Sequence, residues 1–332
     1  MGLVALVVVA FLAGCGGPGT AQDSGIHVCV ATTADGLVPH TFNRLAVDGA
    51  QSAGAAVQVV PSASASYYVA SLGRCAAARP AVVIAISPDM AAAVFRAAHQ
   101  YPGQRFALVD ATPVDDTGQP ADLSNVASVL FNQQEPGYLV GALAGYLEKD
   151  KVGSASHNVL GILGTNHGPN VDPYIAGFVA GVQSIDPSAQ LKVTYSDSQD
   201  TAFCKQLGIT QISGGADILF EATGRCASGY IDAAYDAGAY AIGSNTDMAY
   251  ASPAVITSAL KRVDKAVEIL VHRLQSNQFK SGKSTLSIQD DATGFSTPSS
   301  VVPQAIINQV LEIRAQIRSG AITPPSTIPP GI

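Results

Sequence analysis

The sequence predicts an α/β protein of two doubly wound domains, and three observations carry that prediction. Short apolar stretches alternate with amphipathic stretches of helical length, the pattern of βαβ units and parallel sheets. The rhythm runs twice, in two series of about four strands each. A chain of 332 residues is long enough for both. With 47% hydrophobic and only 13% charged residues, the chain has ample apolar surface to bury. Its net charge of -7 argues against nucleic-acid binding, which needs a basic face. No run of Lys or Arg marks a membrane-surface patch.

Taken in order, residues 26–32 (IHVCVAT) read as a strand followed by a turn at 32–36. Residues 41–55 read as a helix with Phe42, Leu45, Ala46 and Gly49 on one face. Strands follow at 57–60 and 81–86, with a helix at 66–78 between them. Ser87-Pro88-Asp89 is a helix start: a Ser cap, Pro in the first turn and an acid near the positive end of the dipole. That helix runs to about Gln100, and a strand at 105–110 leads into a polar loop at 111–124.

Residues 125–149 are the stretch around which the two halves are organised. An apolar, β-branched strand (126–131) suits burial on both faces. A polar turn follows, and Glu135-Pro136 opens a helix. Gly137, Gly141 and Gly145 recur every four residues and share one helix face. Glycine inside a helix costs stability, so such a face predicts close approach of another backbone. Two readings stay open on pattern alone: a linker that begins a second domain, or one more βα unit of a single sheet.

The second half repeats the rhythm. Strands are predicted at 159–163, 191–195, 218–221, 240–243 and 255–260. Helices are predicted at 172–185, 201–213, 228–237, 262–275 and 303–318, with a strand pair within 282–295. Ligands of open α/β sheets bind beyond the carboxyl ends of the strands. That rule selects 32–36, Ser87, Asp110, 164–168, 222–225 and 243–247, all facing one cleft if the domains oppose each other.

The N-terminus is distinctive. An apolar run at 3–11 is too short to span a bilayer as a helix. It fits the apolar core of a signal peptide, although no Lys or Arg precedes it. Leu12-Ala13-Gly14-Cys15 resembles the bacterial lipobox, which implies lipidation of Cys15 and an extracytoplasmic protein held on the cell membrane. Residues 1–15 are therefore expected to be signal peptide and lipobox, and 16–25 a Gly-rich tether. The remaining cysteines, Cys29, Cys75, Cys204 and Cys226, could form disulfides after export. Proximity favours Cys29–Cys75 and Cys204–Cys226 among the three connectivities, with free thiols as the other possibility. They contain no CxxC pair, so a zinc site is not expected.

No GxSxG, HExxH, Walker motif or strand-borne GxGxxG is present, and no catalytic residue or cofactor is assigned. His157 and His167 flank a predicted strand and could approach one another, although loop positions are the simpler account. Asp110, Asp197, Glu221 and Asp247 stand near strand ends. Two of them could serve a hydrolase as acid and base, or a receptor as hydrogen-bond acceptors, or merely cap helices.

Four segments carry a family resemblance that covers about 26–323. Thr41-Phe42-Asn43 with Asp48-Gly49 resembles an "SFN…EG" helix, and Phe106-Ala107-Leu108-Val109-Asp110 resembles "FAIID". Residues 135–141 (EPGYLVG) resemble "EAGYLAG", and 257–264 (TSALKRVD) resemble "TSVVKRVD". Together they are similar to the basic membrane protein family of substrate-binding lipoproteins, whose best-known type is the purine nucleoside receptor of ABC transporters.

The resemblance implies the type I periplasmic-binding-protein fold, two Rossmann-like lobes joined by three crossings. These are expected near 128–132, 245–253 and 282–287. Lobe one would then hold 26–130 with 254–283, lobe two 131–253 with 284–323, and 324–332 would be a Pro-rich tail. By the same resemblance Phe42 and Tyr174 sandwich a base, Asp110 bonds its edge, Gly224 offers a backbone contact, and Lys261 holds ribose hydroxyls, with Asn245 and Asp247 beside it. The chain departs from the family at Thr33, at Val38-Pro39 and at Asn245, where acids are usual. The implied function is a monomeric solute receptor, most simply for a nucleoside, with an ABC permease as partner. The alternatives are a secreted nucleoside or glycoside hydrolase using the cleft carboxylates, and a sensor ectodomain for a separate partner.

Overall fold

A computed structural model of the chain describes residues 25–331. The apolar leader, Cys15 and the tether ahead of Gly25 lie outside the described residues. In chain order come β1 (His27–Ala31), α1 (Phe42–Ser52), β2 (Ala56–Val60), α2 (Tyr68–Ala77), β3 (Val82–Ile86), α3 (Ala91–Gln100), β4 (Phe106–Val109) and β5 (Val126–Phe131). There follow α4 (Gln134–Lys149), β6 (Val159–Gly164), α5 (Asp172–Ile185), β7 (Gln190–Tyr195), α6 (Thr201–Ser213), β8 (Ile218–Ala222) and α7 (Ala227–Ala237). The chain ends with β9 (Tyr240–Asn245), β10 (Val255–Lys261), α8 (Val263–Gln275), β11 (Gly282–Leu286), β12 (Thr293–Phe295) and α9 (Gln304–Ser319).

The strands form two six-stranded sheets, in the orders β11-β5-β4-β3-β1-β2 and β12-β10-β9-β8-β6-β7. Every pair is parallel except β10 with β12. Parallel strands must be covered on both faces, and β1 shows how. Val28 and Val30 point into a cluster with residues of α1 and α8, while Cys29 and Ala31 point into another with α2 and α3. The side-chain period of two therefore supplies two cores from one strand. Sheet two is covered in the same way by α4, α5 and α9 on one face and by α6 and α7 on the other. Cys29 is bonded to Cys75, tying β1 to α2, and Cys204 to Cys226, tying α6 to the start of α7. A native disulfide of this kind contributes typically ~2–4 kcal/mol. Among the described residues no helix is long and apolar enough to cross a membrane.

The glycine face of α4 meets α5 backbone to backbone. A Cβ on Gly141 would fall 2.9 Å from Phe178 Cα, one on Gly177 2.9 Å from Gln134 Cα, and one on Gly181 2.8 Å from Ala142 N. Leu139, Leu143 and Leu147 on the same helix are fully buried, each worth roughly 1.5–3 kcal/mol. The linker reading of 125–149 is thus the one realised: β5 closes in sheet one, and α4 packs entirely in lobe two.

The crossings differ in part from the sequence expectation. The first lies between Phe131 and Gln134. The second does not lie at 245–253, and 254–261 does not return to lobe one. β10 pairs with β9, Ser258 opposite Gly243 and Leu260 opposite Asn245, so the chain stays in lobe two until Lys261. An apolar run of this kind suits a buried strand in either sheet, and its neighbour decides. Lobe one regains the chain only with α8, which packs on α1. The segment 282–295 is not a strand pair either: β11 joins β5 in sheet one and β12 joins β10 in sheet two. The third crossing therefore runs from Leu286 to Thr293.

Glu135 fastens these crossings together. Its buried carboxylate accepts the Ile288 N–H at 2.7 Å and the Thr293 hydroxyl at 2.7 Å on one oxygen, and the Asn132 side-chain amide at 3.1 Å on the other. Residues of the first and third crossings thus meet on one side chain. His157 and His167 stand at opposite ends of β6 and do not meet, His157 pairing with Asp217 and His167 with Asp172.

Candidate functional site

The carboxyl ends of both sheets face each other, and the lobes meet across the cleft. At the rim the Arg225 guanidinium of lobe two lies 3.6 Å from the Asp35 carboxylate of lobe one. Nearby, the His40 ring of lobe one stacks on Tyr250 of lobe two, centroids 4.4 Å apart.

Deeper, a buried ion pair bridges the lobes. Asp110 follows β4 with φ +71°, and Lys261 ends β10. The Lys261 ammonium donates to both Asp110 oxygens at 2.9 Å, and the two side chains are 3% and 5% exposed. Burial lifts the Asp110 carboxyl above its ordinary range, and the Lys261 charge and hydrogen bond oppose that lift. Two rings flank the ammonium, Tyr174 of lobe two at 5.4 Å and Phe42 of lobe one at 6.0 Å from Nζ. The fold thus brings together Phe42, Asp110, Tyr174 and Lys261, from the starts of two helices and the ends of two strands.

Tyr174 is fully buried, which makes it part of the cleft floor and not a rim aromatic. Its hydroxyl approaches the Asn245 backbone without closing a hydrogen bond of good geometry, and burial raises its pKa well above 10. Asn245 ends β9 with φ +66°, its amide donating to the Ser244 hydroxyl at 3.1 Å. Gly224 lies exposed in the loop after β8, where a Cβ would meet the Gln199 side-chain oxygen at 4.0 Å. Asp247 is exposed and accepts the Ala249 N–H, closing a local turn.

Two further residues shape the site. Asn43 fixes the β1–α1 loop: its oxygen accepts the Thr33 N–H at 3.1 Å, and its amide donates to the Thr33 hydroxyl and the Gly36 carbonyl at 2.9 and 2.8 Å. The signal for it was the third letter of Thr41-Phe42-Asn43. Glu221 is the next-to-last residue of β8, buried, and accepts from Thr223 N, the Thr223 hydroxyl and Ser244 N at 2.9, 2.9 and 2.6 Å. Burial pushes its pKa up to about 7, against those hydrogen bonds. Its three donors hold the loops after β8 and within β9 in register. Sequence spacing marked it only as one acid among several.

Comparison with known proteins agrees with this geometry. Residues 41–327 match the family model described as ABC transporter substrate-binding protein PnrA-like. A CD4+ T-cell-stimulating antigen of Listeria monocytogenes is 28% identical over 326 residues, covering 90% of this chain and 87% of that protein. The ABC transporter nucleoside-binding protein BmpA of Lactococcus lactis is 24% identical over 358 residues, covering 97% of each. Among solved structures, an ABC transporter solute-binding protein from Aeropyrum pernix superposes with a TM-score of 0.71 at 22% identity, covering 90% of this chain and 94% of that one. Two lobes of type I periplasmic-binding-protein form, a bridged cleft and a family match over most of the chain lead to one conclusion: this protein belongs to the PnrA-like (Bmp) family of ABC transporter substrate-binding proteins.

Proposed function

We propose that the protein is an extracytoplasmic, lipid-anchored receptor that captures a nucleoside between its lobes and presents it to an ABC permease. The observation that carries this reading is the buried Asp110–Lys261 pair with the Tyr174 and Phe42 rings both near the ammonium. Aromatic faces accept a flat base by stacking, a carboxylate accepts its N–H donors, and an ammonium donates to hydroxyls. Because these groups come from both lobes, a ligand that touches them binds the closed arrangement better than an open one and shifts the population toward it. Asn245 supplies an amide where the family has an acid, so hydroxyl recognition rests more heavily on Lys261. Lipidation of Cys15 would hold the receptor at the membrane.

The reading assigns binding and no bond-breaking. In the cleft Asp110 is paired with Lys261, and Glu221 accepts from three donors that belong to the neighbouring loop and strand, so both carboxylates are engaged by the fold itself. Isothermal titration with adenosine, guanosine, inosine and uridine, alongside chromatography for released base, tests it. Heat at one site with no released base is expected. Release of base would make the protein a hydrolase, and the absence of heat with every nucleoside would overturn the ligand class.

A further inference from the structure

No run of basic residues exists in the sequence, yet the fold assembles a basic face at the end of lobe one opposite the cleft. Parallel strands all start at the same end of a sheet. The segments that precede them, and the helix ends that feed them, therefore converge there. Ala56 N donates to Ile26 O at 2.9 Å and Ala81 N to His27 O at 2.8 Å. Gln104 reaches Pro80 O at 3.0 Å, Asn125 reaches Gln104 O at 3.1 Å, and Phe106 N donates to Asn125 O at 2.8 Å. The Arg105 guanidinium lies 5.3 Å over the Phe279 ring, which brings 279–283 to the same place.

The segments 25–27, 53–56, 76–82, 100–106, 122–126 and 275–283 make up this end. Their cations are Arg79, Arg105, Lys280 and Lys283, and their carboxylate is Asp122, on a chain whose net charge is -7. Asp122 is matched by Lys283 at 3.5 Å. Arg79, Arg105 and Lys280 are exposed and form no ion pair among the described residues. They border two adjoining depressions of about 500 and 650 Å³ that share residues 102–105. The chain also enters lobe one at this end, through Ile26 and His27.

We propose that this face, with Arg79, Arg105 and Lys280, rests on the anionic phospholipid headgroups of the membrane that carries the protein. The proposal builds on the anchor at Cys15. Ten peptide steps separate Cys15 from Gly25, a span of at most about 35 Å, so an anchor there keeps this end of lobe one near the bilayer. Cations near an anionic surface gain attraction that falls away within a Debye length. Arg105 suits the contact further, because a guanidinium held over a ring keeps its fork of donors free for phosphate.

The test uses the full chain with Cys15→Ser, which cannot be acylated. Its binding to vesicles of phosphatidylglycerol mixed with phosphatidylcholine is measured against vesicles of phosphatidylcholine alone, which record whatever the apolar leader contributes. The chain should prefer the anionic vesicles, and added salt should weaken the preference. Arg79→Gln/Arg105→Gln/Lys280→Gln should reduce that preference roughly a hundredfold, about fivefold per cation. Arg79→Lys/Arg105→Lys should retain most of it, and Lys149→Gln/Lys151→Gln at the base of lobe two should leave it unchanged. No preference for anionic vesicles, or an undiminished one in the triple variant, overturns the proposal. The mass of the chain recovered from membranes tests the anchor separately: an unmodified Cys15 would remove the anchor while the vesicle result still decides the face.

Discussion

Gly141→Ala should destabilise the protein even though alanine is the better helix former. A Cβ at this position falls 2.9 Å from both Cα and the carbonyl carbon of Phe178. Carbon pairs settle at ~3.5–4.0 Å, so α4 and α5 would have to part by roughly 0.5–1 Å. Gly137, Gly177 and Gly181 hold the same crossing equally close, which prevents one turn from yielding alone. Overpacking of this kind costs typically ~1–3 kcal/mol. Replacing glycine in a helix interior returns up to ~1 kcal/mol. The expected net loss is therefore about 1–2 kcal/mol, read as a lower urea midpoint at unchanged m-value. A gradient along the helix should accompany it. Gly137 faces the backbone of Tyr174 itself, so Gly137→Ala should also weaken ligand binding, whereas Gly145 partly faces the Ile185 side chain and should be the mildest site. If Gly141→Ala proves as stable as the parent chain, the backbone contact does not govern this interface and the reasoning fails.

Other outcomes follow from particular groups. Asp110→Ala leaves Lys261 charged and buried without a partner, which costs roughly 3–5 kcal/mol, and Asp110→Ala/Lys261→Met should recover much of that in thermal unfolding while remaining unable to bind ligand. Glu135→Ala strips the acceptor from Ile288 N and the Thr293 hydroxyl and should destabilise by about 2–3 kcal/mol, with Glu135→Gln milder, by denaturant titration. At the base of lobe two, Glu148 and Asp217 meet, one oxygen of each held by backbone N–H groups of 156–158. Burial first, then the hydrogen bond and charge of Asp217, raise the Glu148 pKa from 4.5 to about 9, with Asp186 adding to the lift and the Asn158 N–H opposing it. The folded protein then holds a proton that the unfolded chain releases above pH 4.5. Stability from this group should be greatest below pH 4.5, decline as pH rises and level off above about 9. In Glu148→Gln that slope should flatten, and an unchanged slope would place the proton elsewhere.

Much of the fold was legible because its signals are local. The glycine spacing of α4, the Ser87-Pro88-Asp89 start and the alternation of strand with helix each follow from a few neighbouring residues. The second crossing was not legible, since β10 is an apolar run whose sheet is chosen by its pairing with β9, not by its own sequence. Segment 282–295 misled for the same reason: two short strands near in sequence imply a pair, yet each found its partner in a different sheet. At the site, Asp110 and Lys261 are 151 residues apart, so no spacing rule links them: Asp110 stood out by its place after a strand, and Lys261 only by motif resemblance. Asp247 was marked by its place after a strand, while the Ala249 N–H that its carboxylate accepts in a local turn has no signal in that placement. Glu135 read as part of a helix start, and its hinge contacts depend on 288 and 293, which local pattern cannot see. The basic face of lobe one is the same lesson in charge: cations spread over 79–280 become neighbours only through the topology.

The central claim is that the cleft between the lobes recognises a nucleoside through Asp110, Lys261 and the two rings. It is tested most directly by calorimetric titration of one nucleoside into the parent chain and into Asp110→Asn, with the unfolding temperature of each measured in parallel. The account predicts one-site binding to the parent chain and at least a tenfold loss, about 1.4 kcal/mol, in a variant that stays folded. Equal affinity in the two folded proteins would contradict it.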